Sequence, residues 1–300
     1  MTIQPPFLKQ GDTIAIISPS GVVEATLVFN AKEVLESWGY KVLLGHSYLA
    51  ENGRFAGTDE QRIADIVWAL TDENIHAVFC SRGGYGLIRL LDKIDWNKVV
   101  QSPKMIVGFS DITVLHNVCA QLGIYSVHSP MAKHLAIDAL DSSSTYLREL
   151  LQGNVPNYSV EPHPFNRNGK VEGKLIGGNL SVLYGLRGTP YDLDYTDAIL
   201  VLEDIGERAY HLDRMMYNLL LGGVFTQIKG LVVGQFSDIP TDESFPYSPY
   251  EIIQQVVSLY DFPVCYDFPV GHVKENFPLL LGAQYALTIS SESTKLLPLC

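Results

Sequence analysis

The sequence has few cysteines and no long apolar run, and both shortages narrow the kind of protein it can be. Four cysteines in 300 residues, with no C-x-x-C pair, provide neither a disulfide framework nor a zinc site. Three of them lie in or beside apolar runs, which is typical of reduced, buried thiols. No apolar run approaches the ~20 residues that a membrane helix needs, and the first residues lack the regions of a signal peptide. We therefore expect a cytoplasmic protein.

Basic residues are also scarce. The chain has 21 lysines and arginines against 33 aspartates and glutamates, a net charge of −12. Nucleic acids and anionic membranes require clustered basic side chains, so neither is expected as a partner. Hydrophobic residues make up 47% of the chain and charged residues only 18%, so a substantial core can form. The length fits two domains of ordinary size or one large one.

Short β-rich runs alternate with helical patterns through the first half of the chain. The predicted strands are residues 13–17, 41–44, 76–80, 105–108 and 124–129. Helices are predicted at residues 24–38, 87–91 and 112–123. A fourth predicted helix follows the capping-box pair Thr58 and Gln61. This alternation predicts the α/β class, with a parallel sheet covered on both faces and functional residues at the carboxyl ends of its strands.

The composition changes at residues 153–169, which are rich in proline and asparagine. We predict a linker there, between a domain of residues 1–152 and a domain of residues 170–300. The second domain has predicted strands at residues 198–206, 228–236 and 284–290, the last of these being the final strand, and predicted helices at residues 207–223 and 248–260. It is therefore expected to be a mixed β/α domain, whose topology the pattern does not give.

The first turn that could carry chemistry is Ser81–Gly86, with the sequence SRGGYG, between a predicted strand and a predicted helix. Consecutive glycines allow backbone N–H groups to converge on an anion beside a helix start. The turn is neither G-x-G-x-x-G nor a P-loop, however. On spacing alone, a tight structural turn is the preferred interpretation.

Ser110, in GFSD, lies at the second such turn and has two interpretations. A serine there can present its Oγ at the edge of the sheet as a nucleophile, while the next N–H is directed at a developing oxyanion. The elbow pattern G-x-S-x-G is incomplete, since Ile112 replaces its last glycine. Serine is also a favoured N-cap residue, and on spacing alone that interpretation is preferred.

A nucleophilic serine needs a base, and several of the histidines could supply one. His116 follows Ser110 within the same predicted helix and is expected to be a packed helix residue. His128 and His134 flank SPMAK near a strand end, and His272 lies in a loop with glycine before it. Spacing does not choose among these three. Metal binding is not expected, since the sequence has no H-E-x-x-H.

The motif LEDIGE ends an apolar strand and supplies the candidate acids Glu203, Asp204 and Glu207. A carboxylate that emerges from a buried strand is suited to fixing the tautomer of a histidine. For Glu207 we prefer a different interpretation, an acidic residue at the start of the next helix that offsets its dipole.

Seven motifs occur in a characteristic order between about Gly11 and Leu287: SPSG, SRGGYG, GFSD, GGNL, LEDIGE, LDRM and PVGH. In this order they closely resemble the LD-carboxypeptidase family, the S66 serine peptidases, which include muramoyltetrapeptide carboxypeptidases and microcin-C immunity proteins. The resemblance implies a flavodoxin-like first domain, a swivelling β/α second domain and an active site in the cleft between them.

The resemblance also implies a Ser-Glu-His triad. Matched motif by motif, Ser110 of GFSD is the nucleophile, Glu203 of LEDIGE is the acid and His272 of PVGH is the general base. No triad motif departs from the family's pattern, so an active enzyme is expected.

Further site residues follow from the same resemblance. The backbone N–H groups of Asp111 and Gly84 are the implied oxyanion donors, with Gly83 as the second choice for the glycine-rich loop. Arg82 and Asn179 are candidates for the substrate pocket, and a structural role is an equal alternative for each.

The implied reaction is hydrolysis of an amide that joins an L-centre to a terminal D-residue. In the carboxypeptidase branch this releases D-Ala from a murein tetrapeptide during cell-wall recycling in the cytoplasm. No metal or organic cofactor is required, and a homodimer is the default oligomeric state. Three alternatives stay open: cleavage of microcin-like aminoacyl nucleotides, a non-catalytic peptide-binding module, and a nucleotide-dependent enzyme that uses SRGGYG.

Overall fold

The structure is a computed structural model that describes residues 3–299. It divides into two compact units. The first comprises the chain up to Val155 together with Phe277–Leu280, and the second comprises Pro156–Asn276 together with the chain from Leu281 onward. Each unit is built on its own β-sheet. Within residues 3–299, no helix combines the length and apolar character needed to cross a membrane.

The first unit alternates strands and helices in chain order. Its strands are β1 (Thr13–Ile17), β2 (Lys41–Leu44), β3 (Ala77–Cys80), β4 (Met105–Gly108) and β5 (Ser126–His128). Its helices are α1 (Ala25–Ser37), α2 (Asp59–Thr71), α3 (Trp96–Gln101), α4 (Thr113–Leu122), α5 (Ala132–Ile137) and α6 (Ser142–Leu151). Short 3₁₀ turns occur at Leu87–Arg89, Leu91–Lys93 and Ser110–Ile112.

The remaining elements follow from residue 158 onward. The strands are β6 (Tyr158–Val160), β7 (Gly169–Asn179), β8 (Ala198–Ile205), β9 (Gly230–Ser237), β10 (Val264–Cys265), β11 (Leu279–Leu281), β12 (Gln284–Ile289) and β13 (Thr294–Pro298). The helices are α7 (Leu180–Leu186), α8 (Ala209–Leu221) and α9 (Pro249–Val257), and a 3₁₀ turn covers Val224–Thr226.

The first sheet has the strand order β2-β1-β3-β4-β5-β11. The pairs from β2 to β5 are all parallel. Their order, 2-1-3-4-5, is that of flavodoxin-like sheets, in which ligands bind where the order reverses, at the carboxyl ends of β1 and β3. The predicted α/β class and parallel sheet are confirmed, and the loops after β1 and β3 are the expected place for a site.

The second sheet has the order β10-β9-β8-β7-β12-β13-β6. The strands β7 to β10 pair in parallel, whereas β12 pairs antiparallel with both β7 and β13, and β13 pairs antiparallel with β6. This confirms the predicted mixed β/α character of the second half. The register places Glu203 of β8 beside Asn179 of β7.

Local signals in the sequence account for many of these elements. Thr58 and Gln61 form the predicted capping box of α2, with Gln61 N donating to Thr58 Oγ1 at 3.3 Å and Thr58 N to Gln61 Oε1 at 2.9 Å. The face of α2 that carries Ile66 and Leu70 is buried. Each such side chain contributes about 1.5–3 kcal/mol when it leaves water, so the apolar periodicity fixes which face packs on the sheet.

Three predictions of secondary structure differ from the structure. The helix expected at residues 87–91 is a pair of 3₁₀ turns, entered from Gly86 at φ 129°. The strand of residues 284–289 is not the last, because β13 follows it. Residues 158–160, inside the predicted linker, form β6. β6 and β13 are short strands that pair with each other, so neighbours remote in sequence decide their conformation.

The buried-thiol prediction is confirmed where the structure describes it. Cys80, Cys119 and Cys265 are free and buried. Burial raises the pKa of the Cys119 thiol to about 12 and that of the Cys265 thiol to about 12 as well, so both thiols stay protonated. Cys300, the fourth cysteine, lies outside the described residues.

Candidate active site

The Ser110 turn has a strained backbone. β4 ends at Gly108, and Ser110 begins a 3₁₀ turn with φ at +65°, in the left-handed region. A residue other than glycine loses roughly 1–2 kcal/mol in that region, and such residues cluster at functional sites. The N-cap of this turn is Phe109 and the N-cap of α4 is Ile112, so Ser110 occupies neither position. The helix-cap interpretation is therefore wrong, and the geometry is that of a sharp strand-to-helix turn.

The glycine-rich loop after β3 is pressed against this turn. A Cβ atom added at Gly83 would lie 2.8 Å from Ser110 Cβ, 2.9 Å from Ser110 Oγ and 3.5 Å from Asp111 N. Gly84, at φ 129°, would meet the backbone of Gly21 at 3.2 Å. The glycines of SRGGYG are therefore needed for close approach, and they bring the loops after β1 and β3 to the Ser110 turn.

Replacing Gly83 by alanine is expected to lower the turnover number by about 100-fold, because the new methyl group would displace Ser110 or the loop by close to 1 Å. The measurement is steady-state hydrolysis of the peptide substrate proposed below. Gly11→Ala is the control, since it adds a methyl group into open space at φ 87°, before β1. Gly11→Ala should lower the free energy of unfolding and leave the turnover number unchanged. Equal turnover in the two variants would show that the contact with Ser110 is unimportant.

In the second unit, His272 is paired with a buried carboxylate. Glu203 is fully buried near the end of β8, and its Oε2 lies 2.8 Å from His272 Nδ1. Burial lowers the pKa of His272, but the hydrogen bond and charge of Glu203 outweigh it and raise that pKa above its usual 6.5. A carboxylate that accepts from Nδ1 fixes the tautomer in which Nε2 can take a proton. The arrangement is that of an oriented general base.

Glycines again permit this close contact. Gly271 has φ 128°, and a Cβ added there would lie 3.0 Å from both Cβ and Oε2 of Glu203. A Cβ at Gly234 would lie 2.5 Å from Val270 O and 3.3 Å from Glu203 Cβ. The pairing of β8 with β9 shifts register between Leu202 and Asp204, with the extra residue in β9, opposite Glu203. Such irregularities are over-represented next to active sites.

The next residue, Asp204, has a different environment that the sequence did not reveal. Its Oδ1 accepts from Asn179 Nδ2 at 2.9 Å and from Ile205 N at 2.8 Å, and its Oδ2 accepts from Ser181 N at 2.8 Å. Burial, together with the charge of Glu203, raises the pKa of Asp204 to about 7. Asp204 therefore ties β8 to the end of β7 and the start of α7.

Asn179, predicted at the substrate pocket or as a structural residue, is part of that same network. It ends β7 and serves as the N-cap of α7, with its Oδ1 accepting from Val182 N at 3.2 Å. Arg82, the other pocket candidate, donates from Nη1 to Val22 O at 2.9 Å. The signal in the sequence was the GGNL motif, in which asparagine before an apolar run is a favoured N-cap.

The other candidate side chains have local partners. His116 is buried, with Nδ1 2.8 Å from Ser126 Oγ and Nε2 2.8 Å from Gly108 O, and burial lowers its pKa to about 4. It is a packed helix residue, as predicted. His134 Nε2 lies 2.7 Å from Asp141 Oδ2.

His128 is buried at the end of β5. Glu207 lies just before Arg208, the N-cap of α8, and its Oε2 is 2.5 Å from His211 Nδ1. This is the helix-start position that we preferred for Glu207. Within residues 3–299, no group of three or more His, Cys, Asp or Glu side chains is arranged to hold a metal ion.

Comparison with known proteins identifies the class and then the family. Residues 14–129 match the LD-carboxypeptidase N-terminal domain, and residues 172–287 match the LD-carboxypeptidase C-terminal domain. The chain is 33% identical over 274 residues to the murein tetrapeptide carboxypeptidase of Pseudomonas aeruginosa, covering 88% of this chain and 89% of that protein. These matches define a peptidase. The chain belongs to the LD-carboxypeptidase family, the S66 peptidases, as the motifs predicted.

Solved structures agree with this assignment. The muramoyltetrapeptide carboxypeptidase from Oxalobacter formigenes has a TM-score of 0.86 and 32% identity, covering 95% of this chain and 98% of that one. The microcin C7 self-immunity protein MccF, in complex with aspartyl sulfamoyl adenosine, has a TM-score of 0.86 and 23% identity, with 97% of each chain covered. The MccF likeness supports the fold. Together these structures confirm the predicted two-part α/β fold.

Proposed function

We propose that this chain is a serine carboxypeptidase in which Ser110, Glu203 and His272 act as one catalytic triad. The observation that carries the proposal is the 2.8 Å contact between His272 Nδ1 and Glu203 Oε2. These two residues belong to the motifs PVGH and LEDIGE, which resemble those of the family. A histidine oriented by a buried carboxylate is the general base that a serine nucleophile requires. The strained Ser110 turn supplies a suitable nucleophile.

The proposed reaction has two steps. Ser110 Oγ attacks the carbonyl carbon of the amide while His272 Nε2 takes the hydroxyl proton, and Glu203 stabilises the imidazolium. His272 then gives that proton to the leaving amine, and the acyl-serine ester remains. Water, deprotonated by His272, hydrolyses the ester and restores the serine. No other co-reactant is needed.

The negative oxygen that forms during each attack needs hydrogen-bond donors. In the proposal these are the backbone N–H groups of Asp111 and Gly84, with Gly83 as the alternative in the loop. Donors must lie about 2.7–3.1 Å from the oxyanion. The close approach of Gly83 to Ser110, where an added Cβ would lie 2.9 Å from Oγ, supports this role for the loop.

A carboxypeptidase must also recognise a free terminal carboxylate, and we propose Arg82 for this role. It directly precedes Gly83, and within the described part of the chain its guanidinium makes no ion pair, so its charge is available to a substrate. For Asn179, the hydrogen bond to Asp204 supports the structural alternative over a substrate contact.

The proposed substrate is a murein tetrapeptide, from which the enzyme releases the terminal D-Ala. The proposal rests on the names of the relatives from Pseudomonas aeruginosa and Oxalobacter formigenes, which exceed 30% identity. We further propose that the enzyme acts in the cytoplasm, on peptides recovered from the cell wall, and that it forms a homodimer. Light scattering during gel filtration tests the oligomeric state, and a monomer mass would contradict it.

A second candidate is cleavage of aminoacyl nucleotides. It is favoured by the likeness to MccF, whose solved structures contain sulfamoyl nucleosides. The test compares initial rates on a murein tetrapeptide that ends in D-Ala and on aspartyl sulfamoyl adenosine. The tetrapeptide with terminal L-Ala and the D-Ala amide are control substrates, and both should react slowly. Turnover of the nucleotide conjugate alone would overturn the carboxypeptidase proposal, and binding of the peptide without turnover would indicate a binding module.

A further inference from the structure

We propose that the side chain of Asp111 is a positioning residue, which fastens the loops after β1 and β3 to the Ser110 turn and thereby sets the geometry of the oxyanion hole. The inference rests on the proposed function and deepens it. There, only the backbone N–H of Asp111 takes part, and the carboxylate has no role.

The carboxylate of Asp111 joins three segments that are remote in sequence. Asp111 is 3% exposed, and its Oδ2 accepts from Ser20 Oγ at 2.7 Å and from Leu87 N at 3.1 Å. Ser20 belongs to the loop after β1, and Leu87 directly follows the glycine-rich loop. One oxygen atom therefore connects both loops to the residue that follows the nucleophile. We call the Asp111 carboxylate with its two donors, Ser20 Oγ and Leu87 N, the Asp111 clamp.

Other contacts brace the same loops. Gly21 N donates to Gly83 O at 3.2 Å, which links the two loops directly. The buried Arg62 donates from Nη1 to Pro19 O at 3.0 Å and lies over the ring of Phe55, with its Cζ 4.9 Å from the ring centroid. The bond between Gly21 and Gly83 holds the loops to each other, and Arg62 holds the loop after β1 to α2. The contacts of Asp111 hold both loops to the Ser110 turn.

The buried position of the Asp111 carboxylate is opposed in part by its neighbours. Burial raises the pKa of Asp111 and outweighs the hydrogen bonds with Ser20 and Leu87 and the positive charge of Arg62, which act in the opposite direction. A buried carboxylate is costly unless it is hydrogen-bonded, and here both loops supply the donors. The donors that stabilise the buried carboxylate therefore also hold the two loops to the Ser110 turn.

The strained backbone of Ser110 explains how the Asp111 clamp affects catalysis. A non-glycine residue stays at φ +65° only where its surroundings over-determine it. The Asp111 side chain fixes the peptide unit that follows Ser110, and the N–H of that unit is the proposed oxyanion donor. Without the clamp, the turn can relax and the loop of Gly84 can shift. A displacement of about 1 Å is enough to reduce the rate by about 100-fold.

The test compares Asp111→Ala with Asp111→Asn, measuring kcat and KM for D-Ala release together with the melting temperature. Asp111→Ala is expected to lower kcat by about 100-fold and to change KM by less than about threefold, because the loss falls on transition-state stabilisation. In Asp111→Asn the amide oxygen can accept from both Ser20 and Leu87. The kcat of Asp111→Asn should therefore be at least about tenfold higher than that of Asp111→Ala. Ser20→Ala removes one of the two bonds and should give an intermediate kcat.

Asp65→Ala is the matched control. Asp65 is equally buried in the same unit, and it clamps the loop after β2 by accepting from His46 N, Ser47 N and Ser47 Oγ at 2.8, 2.9 and 2.6 Å. This variant is expected to melt at a lower temperature but to keep kcat within about threefold of the parent.

The outcomes separate the inference from the function on which it rests. If Ser110→Ala is inactive while Asp111→Ala keeps the kcat of Asp65→Ala, the clamp is refuted and the triad stands. If Ser110→Ala is fully active, the proposed function itself fails. Should Asp111→Ala not fold, Asp111→Asn and Ser20→Ala decide: parental kcat in both contradicts the inference, and a graded loss in both supports it.

Discussion

Replacing Ser110 by alanine is expected to lower kcat/KM for D-Ala release by a factor of about 10⁴ or more. The nucleophile, the base and the acid act as a unit, so loss of the hydroxyl removes the covalent pathway. Oxyanion donors and substrate binding remain, and they leave a small residual rate. The measurement is quantification of free D-Ala from the murein tetrapeptide over long incubations at high enzyme concentration, so that a residual rate of this size can be detected.

The fold of the Ser110 variants provides the control. Alanine keeps the left-handed strain at φ +65°, whereas glycine relieves it. Ser110→Gly should therefore be more stable than Ser110→Ala by about 1 kcal/mol in denaturant unfolding, although both are inactive. Unchanged hydrolysis in either variant would remove Ser110 from the mechanism.

Replacing Glu203 by glutamine is expected to lower kcat by about 10³- to 10⁴-fold. An amide can donate to Nδ1 of His272, which stabilises the tautomer that cannot accept a proton at Nε2. The fully buried position of Glu203 makes the loss large, since no water can take over the role of the carboxylate.

The same variant has a predicted effect on the pH profile. His272 acts as a base in its neutral form, so kcat/KM rises as the pH increases through its pKa. The hydrogen bond and charge of Glu203 raise that pKa, against the effect of burial. In Glu203→Gln the rising limb of the profile should move to lower pH, while the plateau is much lower. A rising limb at the parental pH would contradict the assignment of His272 as the base.

Glu207→Gln is the matched control for Glu203→Gln. Glu207 belongs to the same motif and also pairs with a histidine, His211, at 2.5 Å. That pair lies at the start of α8 and has no proposed part in the reaction, so kcat should stay within about threefold of the parent. Similar losses of kcat in the two variants would mean that the Glu203–His272 pair, like the Glu207–His211 pair, affects kcat through the stability of the protein rather than through the reaction.

Regular elements were predictable from local sequence wherever a segment satisfied its own pattern. The apolar run of Thr13–Ile17 and the capping box at Thr58 gave a strand and a helix start at their observed places. The strand Leu279–Leu281 was not predicted, although it joins the first sheet beside β5. A run of three leucines shows no alternation of apolar and polar residues that would predict a strand. Its partner strand lies more than a hundred residues earlier in the chain. Pairing at that distance is decided by tertiary structure.

The sequence by itself determined the chemical groups: a serine at the end of a strand, glycine-rich loops, a buried carboxylate and a histidine preceded by glycine, in the order of the LD-carboxypeptidase family. Tertiary structure decided how they are held. The left-handed backbone of Ser110 and the contact of Ser20 with Asp111, 91 residues apart, follow from packing between loops that no local pattern encodes. The physical reason is that a strained turn and a buried charge are stable only when distant segments supply the opposing contacts.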